Sequence, residues 1–144
     1  MSTQRVVGQT AAAGFQIGVR RTLSLPQEEA WALLLSPQGR KLWLGEITNV
    51  EFSKGSTFET VEGHCGEFRV VKPLEQLRLI WQPAGWLDAS TLQIRLLPTA
   101  HAGKTTISFH QEKLDNAERR EVMKTHWEDV IAGLQAMADN GFTS

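Results

Sequence analysis

The sequence predicts an α+β domain in which a curved antiparallel sheet wraps around a long C-terminal helix, with two short helices after the first strand. Three observations predict it. A strictly alternating segment opens at Phe15. Several further alternating runs follow, divided by short Gly- and Pro-bearing breakers. A single long apolar stripe of helical period closes the chain. Short breakers between alternating runs mean hairpins, and an apolar sheet face and an apolar helix stripe each need a partner.

The elements follow in order. Residues 1–13 are small and polar without a period and are expected to form a flexible tail, leaving one domain over 14–140. Phe15, Ile17, Val19 and Leu23 share one parity, with Gln16, Arg20, Thr22 and Ser24 on the other, which predicts a half-buried strand. Arg21 is the one charge at an inward position of that strand. Pro26 ends the strand and suits the first turn of a helix, and Glu28 and Glu29 favour its positive end. Ala30, Trp31, Leu33, Leu34 and Leu35 form the helix body. A second short helix runs from Pro37 to Leu44 and stops at Gly45.

Beyond Gly45, strands are expected at 47–52, 57–61, 65–72, 76–82, 90–97 and 104–112. Phe68 with Val70, Leu77 with Leu79 and Trp81, Leu92 with Ile94 and Leu96, and Ile107 with Phe109 define the apolar face. Arg78, Gln93, Arg95 and His110 define a wet one. Asp115, three residues before Glu118, predicts a capped helix start. Val122, Met123, Trp127, Val130, Ile131, Leu134, Met137 and Ala138 then recur at helical spacing.

Composition narrows the function. The 144 residues carry a formal net charge of −1, which argues against nucleic-acid binding by phosphate neutralisation. A lone cysteine, Cys65, permits no disulfide within the chain. No apolar run approaches the roughly 18 residues of a membrane span, and the N-terminal segment lacks the apolar core of a signal peptide. A cytoplasmic protein, monomeric or homodimeric, is the default. No cofactor motif is present, and His64 beside Cys65 supplies at most half of a tetrahedral metal site.

Chemistry-bearing candidates are few. Trp31, Trp43, Phe68, Trp81, Phe109, Met123, Trp127 and Val130 stand at core-facing positions. They are either plain core or the lining of a cavity between sheet and helix that suits a small hydrophobic molecule. Arg21 is a polar pocket group or a rim residue with its stem snorkelling. Thr60, Thr105 and Gln111 are further candidate polar groups. Trp86 lies on a loop, as a clamp folded onto the domain or as a contact surface. His110 and Glu112 share a strand face as an imidazole–carboxylate pair or a surface pair. His126, at the stripe's edge beside Trp127, is a positioning residue or a base.

Several segments also carry a family resemblance. Leu25-Pro26-Gln27-Glu28-Glu29-Ala30-Trp31 resembles the lead-in to the first helix of the SRPBCC superfamily, the START-like, pollen-allergen-like helix-grip fold. Pro37 to Gly45 with Trp43, Val71-Lys72-Pro73 to Leu79, Thr106 to Glu112, and His126-Trp127 to Leu134 resemble its later elements. Within it, the chain is similar to bacterial proteins of the branch named after the C-terminal domain of the heat-shock-protein-90 ATPase activator. The resemblance implies a helix-grip fold over about residues 14–138 and binding of a lipid or small metabolite. It also implies two alternatives, a chaperone-activator-like interaction with a chaperone or other protein and, more remotely, a polyketide cyclase-like enzyme.

Overall fold

The computed structural model describes residues 9–10 and 14–142. Strands β1 (Gln9–Thr10), β2 (Gly14–Leu23), β3 (Thr57–Glu59), β4 (Cys65–Lys72), β5 (Gln76–Gln82), β6 (Ser90–Pro98) and β7 (Thr105–Leu114) form one antiparallel sheet in the order β1-β2-β7-β6-β5-β4-β3. Helices α1 (Gln27–Leu35) and α2 (Pro37–Trp43) follow β2, and α3 (Ala117–Asp139) closes the chain. The core lies between the sheet's apolar face and α3 and continues under α1 and α2. This is the curved antiparallel sheet and helix that the alternation and the stripe predicted.

Particular residues set the element boundaries. Ser36 separates the two short helices: its hydroxyl accepts from the Gly39 N–H at 3.0 Å and so caps α2, while Pro37 fills that helix's first turn. The cap of α3 is Asn116 rather than Asp115. Asn116 Oδ1 accepts the Arg119 N–H at 2.8 Å, and Asp115 pairs instead with the Arg119 guanidinium at 3.1 Å.

Three expectations are corrected. Segment 47–52 forms no strand. Ile47 and Val50 fall on opposite parities, and the segment instead straps the core, with Phe52 packed 5.2 Å from the Phe68 ring. Val70 does not share a face with Phe68. The pairing shifts between them, so that Phe68 opposes Leu79, Val70 opposes Arg78 and Val71 opposes Leu77. One extra residue turns Val70 to the wet face and Val71 to the core. Val122 leaves the stripe: it is 61% exposed, because a one-residue step from Met123 is about 100° around a helix. Within the expected tail, Gln9–Thr10 pairs with Phe15 and Gly14, and the remainder of 1–13 lies outside the described residues.

Candidate functional site

The middle of the groove between sheet and helix is filled. Phe109 on β7 lies nearly parallel to Trp127 on α3 at 5.0 Å, and Trp81 on β5 tilts against Trp127 at 5.4 Å. A chain of hydrogen bonds runs beneath these rings. Trp127 Nε1 donates to Gln111 Oε1 at 2.8 Å, Gln111 Nε2 donates to Ser90 Oγ at 2.8 Å, and Ser90 Oγ donates to the Trp81 carbonyl at 2.7 Å. Gln111 is fully buried, and with these partners its burial carries no unmet polar group on either arm.

Space remains at one end, where α3 begins. A cavity of about 290 Å³ opens between the end of α2, the β3–β4 turn, the β5–β6 loop and the first turns of α3. Trp43, Leu44, Trp81, Trp86 and Met123 make its apolar walls, and Leu42, Pro83 and Val122 complete them. Gly45 ends α2 at φ +126°, and a side chain there would collide with Glu62 Oε1 at 2.7 Å. That clearance lets the Glu62 carboxylate accept the Glu46 N–H at 2.9 and 3.1 Å. The Glu46 N–H holds the Glu62 carboxyl below the usual carboxylate range, so the wall carries a negative charge at neutral pH.

Two histidines stand in the same walls. The His64 ring packs 5.8 Å from Trp81, and its Nδ1 accepts the Ala84 N–H at 2.9 Å, which places the proton of the neutral ring on Nε2. His126 lies 6.3 Å from Trp81 at an interplanar angle of 23° and meets Trp127 edge-on at 4.6 Å. Burial pushes the His126 imidazole below the ordinary histidine value, opposed by Asp129 and aided by His64. It is therefore neutral at pH 7. Trp81 Nε1 and His126 Nε2 are buried without a hydrogen-bond partner among the described residues. The third such atom, Arg40 Nε, belongs to a residue outside the cavity walls.

Trp86 closes one side. Its carbonyl accepts from Gln82 Nε2 at 2.6 Å, and the Arg119 guanidinium lies over its ring at 4.1 Å. The loop tryptophan is thus folded onto the domain. A larger hollow of about 560 Å³ at the β4–β5 turn is walled by Gln27, Lys72, Glu75 and Arg95, with no buried unpartnered polar atom among its lining residues.

The family model for Activator of Hsp90 ATPase homolog 1-like protein matches residues 24–139. The chain belongs to this family. Solved structures agree on the fold. It is similar to protein MLL2253 from Mesorhizobium loti, at 22% identity and a TM-score of 0.72, over 89% of this chain and 99% of that one. It is also similar to an HSP90 activator from Plasmodium falciparum, at 16% identity and a TM-score of 0.70, over 86% and 96%. A third likeness is to a protein of the dynemicin biosynthetic locus, at 19% identity and a TM-score of 0.72, over 88% of this chain. The chain spans only 48% of that protein. No curated protein matches the sequence.

Among the candidates named from the sequence, Trp43, Trp81 and Met123 come together in the cavity walls. Phe68, Phe109, Trp127 and Val130 do not: they are core, each at most 4% exposed, because the groove is packed where they lie. Trp31 is half-buried on α1, packed on the core and outside the walls. Arg21 sits near the far end of α3, exposed, with Nη1 donating to Gln135 Oε1 at 2.9 Å. The candidate polar groups are engaged elsewhere. Thr105 Oγ1 donates to the Leu25 carbonyl, Thr60 Oγ1 accepts the His64 N–H, and Gln111 holds Trp127. On the wet face, His110 Nε2 meets Gln16 Oε1 at 2.9 Å, while Glu112 faces Arg78 at 4.0 Å.

His64, His126 and Trp86 gained their place through contacts the periodicity does not carry. His64 is delivered by a turn, and His126 lies one position before the buried Trp127. A helical-wheel reading with a wider stripe would have included His126, whereas no local signal places His64. Among the described residues no group of three His, Cys, Asp or Glu side chains converges on a metal-sized site. No described helix is long and apolar enough to cross a membrane.

Proposed function

We propose that this protein is a binding module for a small hydrophobic molecule, held in the cavity at the open end of the sheet–helix groove and acting in the cytoplasm. The observation that carries the reading is the cavity itself: an apolar, aromatic wall with only a few polar groups among its lining residues. That combination suits a ligand whose affinity comes from apolar area and whose orientation comes from a hydrogen bond. A volume of about 290 Å³ lies at the lower end of ligand pockets, so the guest is compact rather than a two-chain lipid.

Three of the tryptophans line the cavity, so an occupant alters their emission. Titration with a panel of small aromatic and short-chain lipid molecules is expected to change emission and raise the melting temperature. Met123→Lys, which sets a charge in the wall, is expected to weaken binding at least about tenfold, while Glu128→Lys on the exposed side of α3 leaves it unchanged. A panel that moves neither emission nor melting temperature would leave the second reading in front.

That second reading is a chaperone-regulating interaction. The family match and the fold shared with the Plasmodium HSP90 activator support it. Stimulation of the ATPase of a heat-shock-protein-90 chaperone by the purified protein is the measurement that decides it.

A further inference from the structure

We propose that the rim of the cavity is a docking surface for another polypeptide, one that offers apolar side chains flanked by lysine or arginine. Such docking requires neither a guest in the cavity nor a chaperone partner.

Exposed apolar area is concentrated at this rim. Among the described residues the exposed large hydrophobic side chains are Leu87 at 93%, Val61 at 74%, Val122 at 61% and Leu74 at 37%. The first three belong to the segments that wall the cavity. Val61 precedes Glu62 in the β3–β4 turn, Leu87 follows Trp86 in the β5–β6 loop, and Val122 stands in the wall itself. The half-buried Leu42 and Trp86 line the same space. A second hollow of about 350 Å³ shares Trp86, Val122 and Met123 with the first and reaches Asn116 at the cap of α3. A compact guest inside the cavity leaves Val61 and Leu87 bare, since neither lines it. Single exposed hydrophobic residues are ordinary, but three around one hollow mark a contact surface.

The rim is also held in shape. The Ala84 N–H donates to His64 Nδ1 at 2.9 Å and fastens the β5–β6 loop to the β3–β4 turn. The Arg119 guanidinium over the Trp86 ring fastens that loop to α3. A surface already fixed loses little freedom when a partner seats on it.

Charge identifies the partner. The two cations of the rim are already matched: Lys41 Nζ lies 3.9 Å from Glu46, and Arg119 Nη1 lies 3.1 Å from Asp115. Glu62 and Glu118, which line the two hollows, and Asp88, beside Leu87, form no ion pair among the described residues. The surplus is acidic and complements a basic partner. Two other occupants fit it less well. A second copy joined by a two-fold axis sets these same acids against one another. A membrane with anionic headgroups is repelled by them.

Fluorescence anisotropy of the full chain with three labelled peptides tests this: an amphipathic leucine–lysine peptide, its leucine–glutamate counterpart, and a serine–lysine counterpart without the apolar residues. The leucine–lysine peptide is expected to bind with a micromolar Kd, about tenfold tighter than either counterpart, and to weaken as salt is raised. Leu87→Ser with Val122→Ser is expected to cost at least about tenfold. Asp88→Asn with Glu118→Gln is expected to bring the two leucine-bearing peptides within about threefold of each other. All four positions are exposed, and the melting temperature of each variant checks that it folds. In wild-type protein, which needs no variant to fold, the amide resonances that shift with the leucine–lysine peptide are expected to cluster in 61–64, 84–88 and 118–126. Equal binding of the lysine and glutamate peptides, affinity that survives Leu87→Ser with Val122→Ser, or resonance shifts centred elsewhere would each overturn the proposal. So would a dimer that Leu87→Ser abolishes, which gives the rim to a second copy. Co-sedimentation with phosphatidylglycerol vesicles that the same double variant loses would overturn it too, in favour of a lipid surface.

Discussion

Trp127 shows how one side chain separates the filled part of the groove from the open part. Its ring is fully buried between Phe109 and Trp81, and its N–H is anchored on Gln111. Truncation therefore leaves a large hole and an orphaned amide. Trp127→Ala is expected to cost about 3–5 kcal/mol, visible as a lower midpoint in urea with an unchanged slope. The central position of Trp127 on the apolar stripe was legible in the sequence. Its hydrogen bond was not, because Gln111 stands at an inward position of a strand where alternation predicts an apolar residue. A glutamine breaking that pattern is the trace such a network leaves in a sequence.

At the scale of elements, boundaries set by sharp chemistry were legible and those set by tertiary contact were not. Pro26, Pro37 and the Gly- or Pro-bearing turns mark their helices and hairpins correctly. The bulge after Phe68 is silent in the sequence, since both Val70 and Val71 are apolar and either fits the core. Segment 47–52 carries apolar residues for packing, not for pairing. Gly133 in mid-α3 has a lower helix propensity than alanine. In the folded chain it is a clearance: a side chain there would meet Leu42 Cδ1 at 2.9 Å, and Leu42 also lines the cavity. Gly133→Ala gains about 1 kcal/mol of helix propensity but displaces the flexible tip of Leu42. The expected outcome is a melting temperature changed by only a few degrees together with weaker binding of any cavity guest, measured by calorimetry on the same variant.

Across the whole molecule, the fold was legible because alternation, stripe and breakers all point to one arrangement. The cavity was legible only in part, because its walls come from four separate segments and its histidines from a turn and a helix edge. Those groups also give the domain a common acid sensitivity. The folded state resists protonating His126, whereas the unfolded chain takes up that proton as the pH falls through the ordinary histidine value. The unfolded state then holds more protons, and stability falls with pH. Glu62 acts in the same direction at lower pH, staying ionised in the folded chain below the value of 4.5 at which the unfolded carboxyl protonates. The melting temperature is expected to decline between about pH 7 and 5 and again below it, and His126→Phe to flatten the upper decline alone. The sheet's border bears on partners in another way. Its β3 side ends in a strand of three residues, whose central Phe58 is turned into the core. So short an edge offers little backbone for an incoming strand to zip onto. A visiting polypeptide would have to grip side chains, such as the exposed Leu87 and Val61 on the loops that frame the cavity, instead of lengthening the sheet.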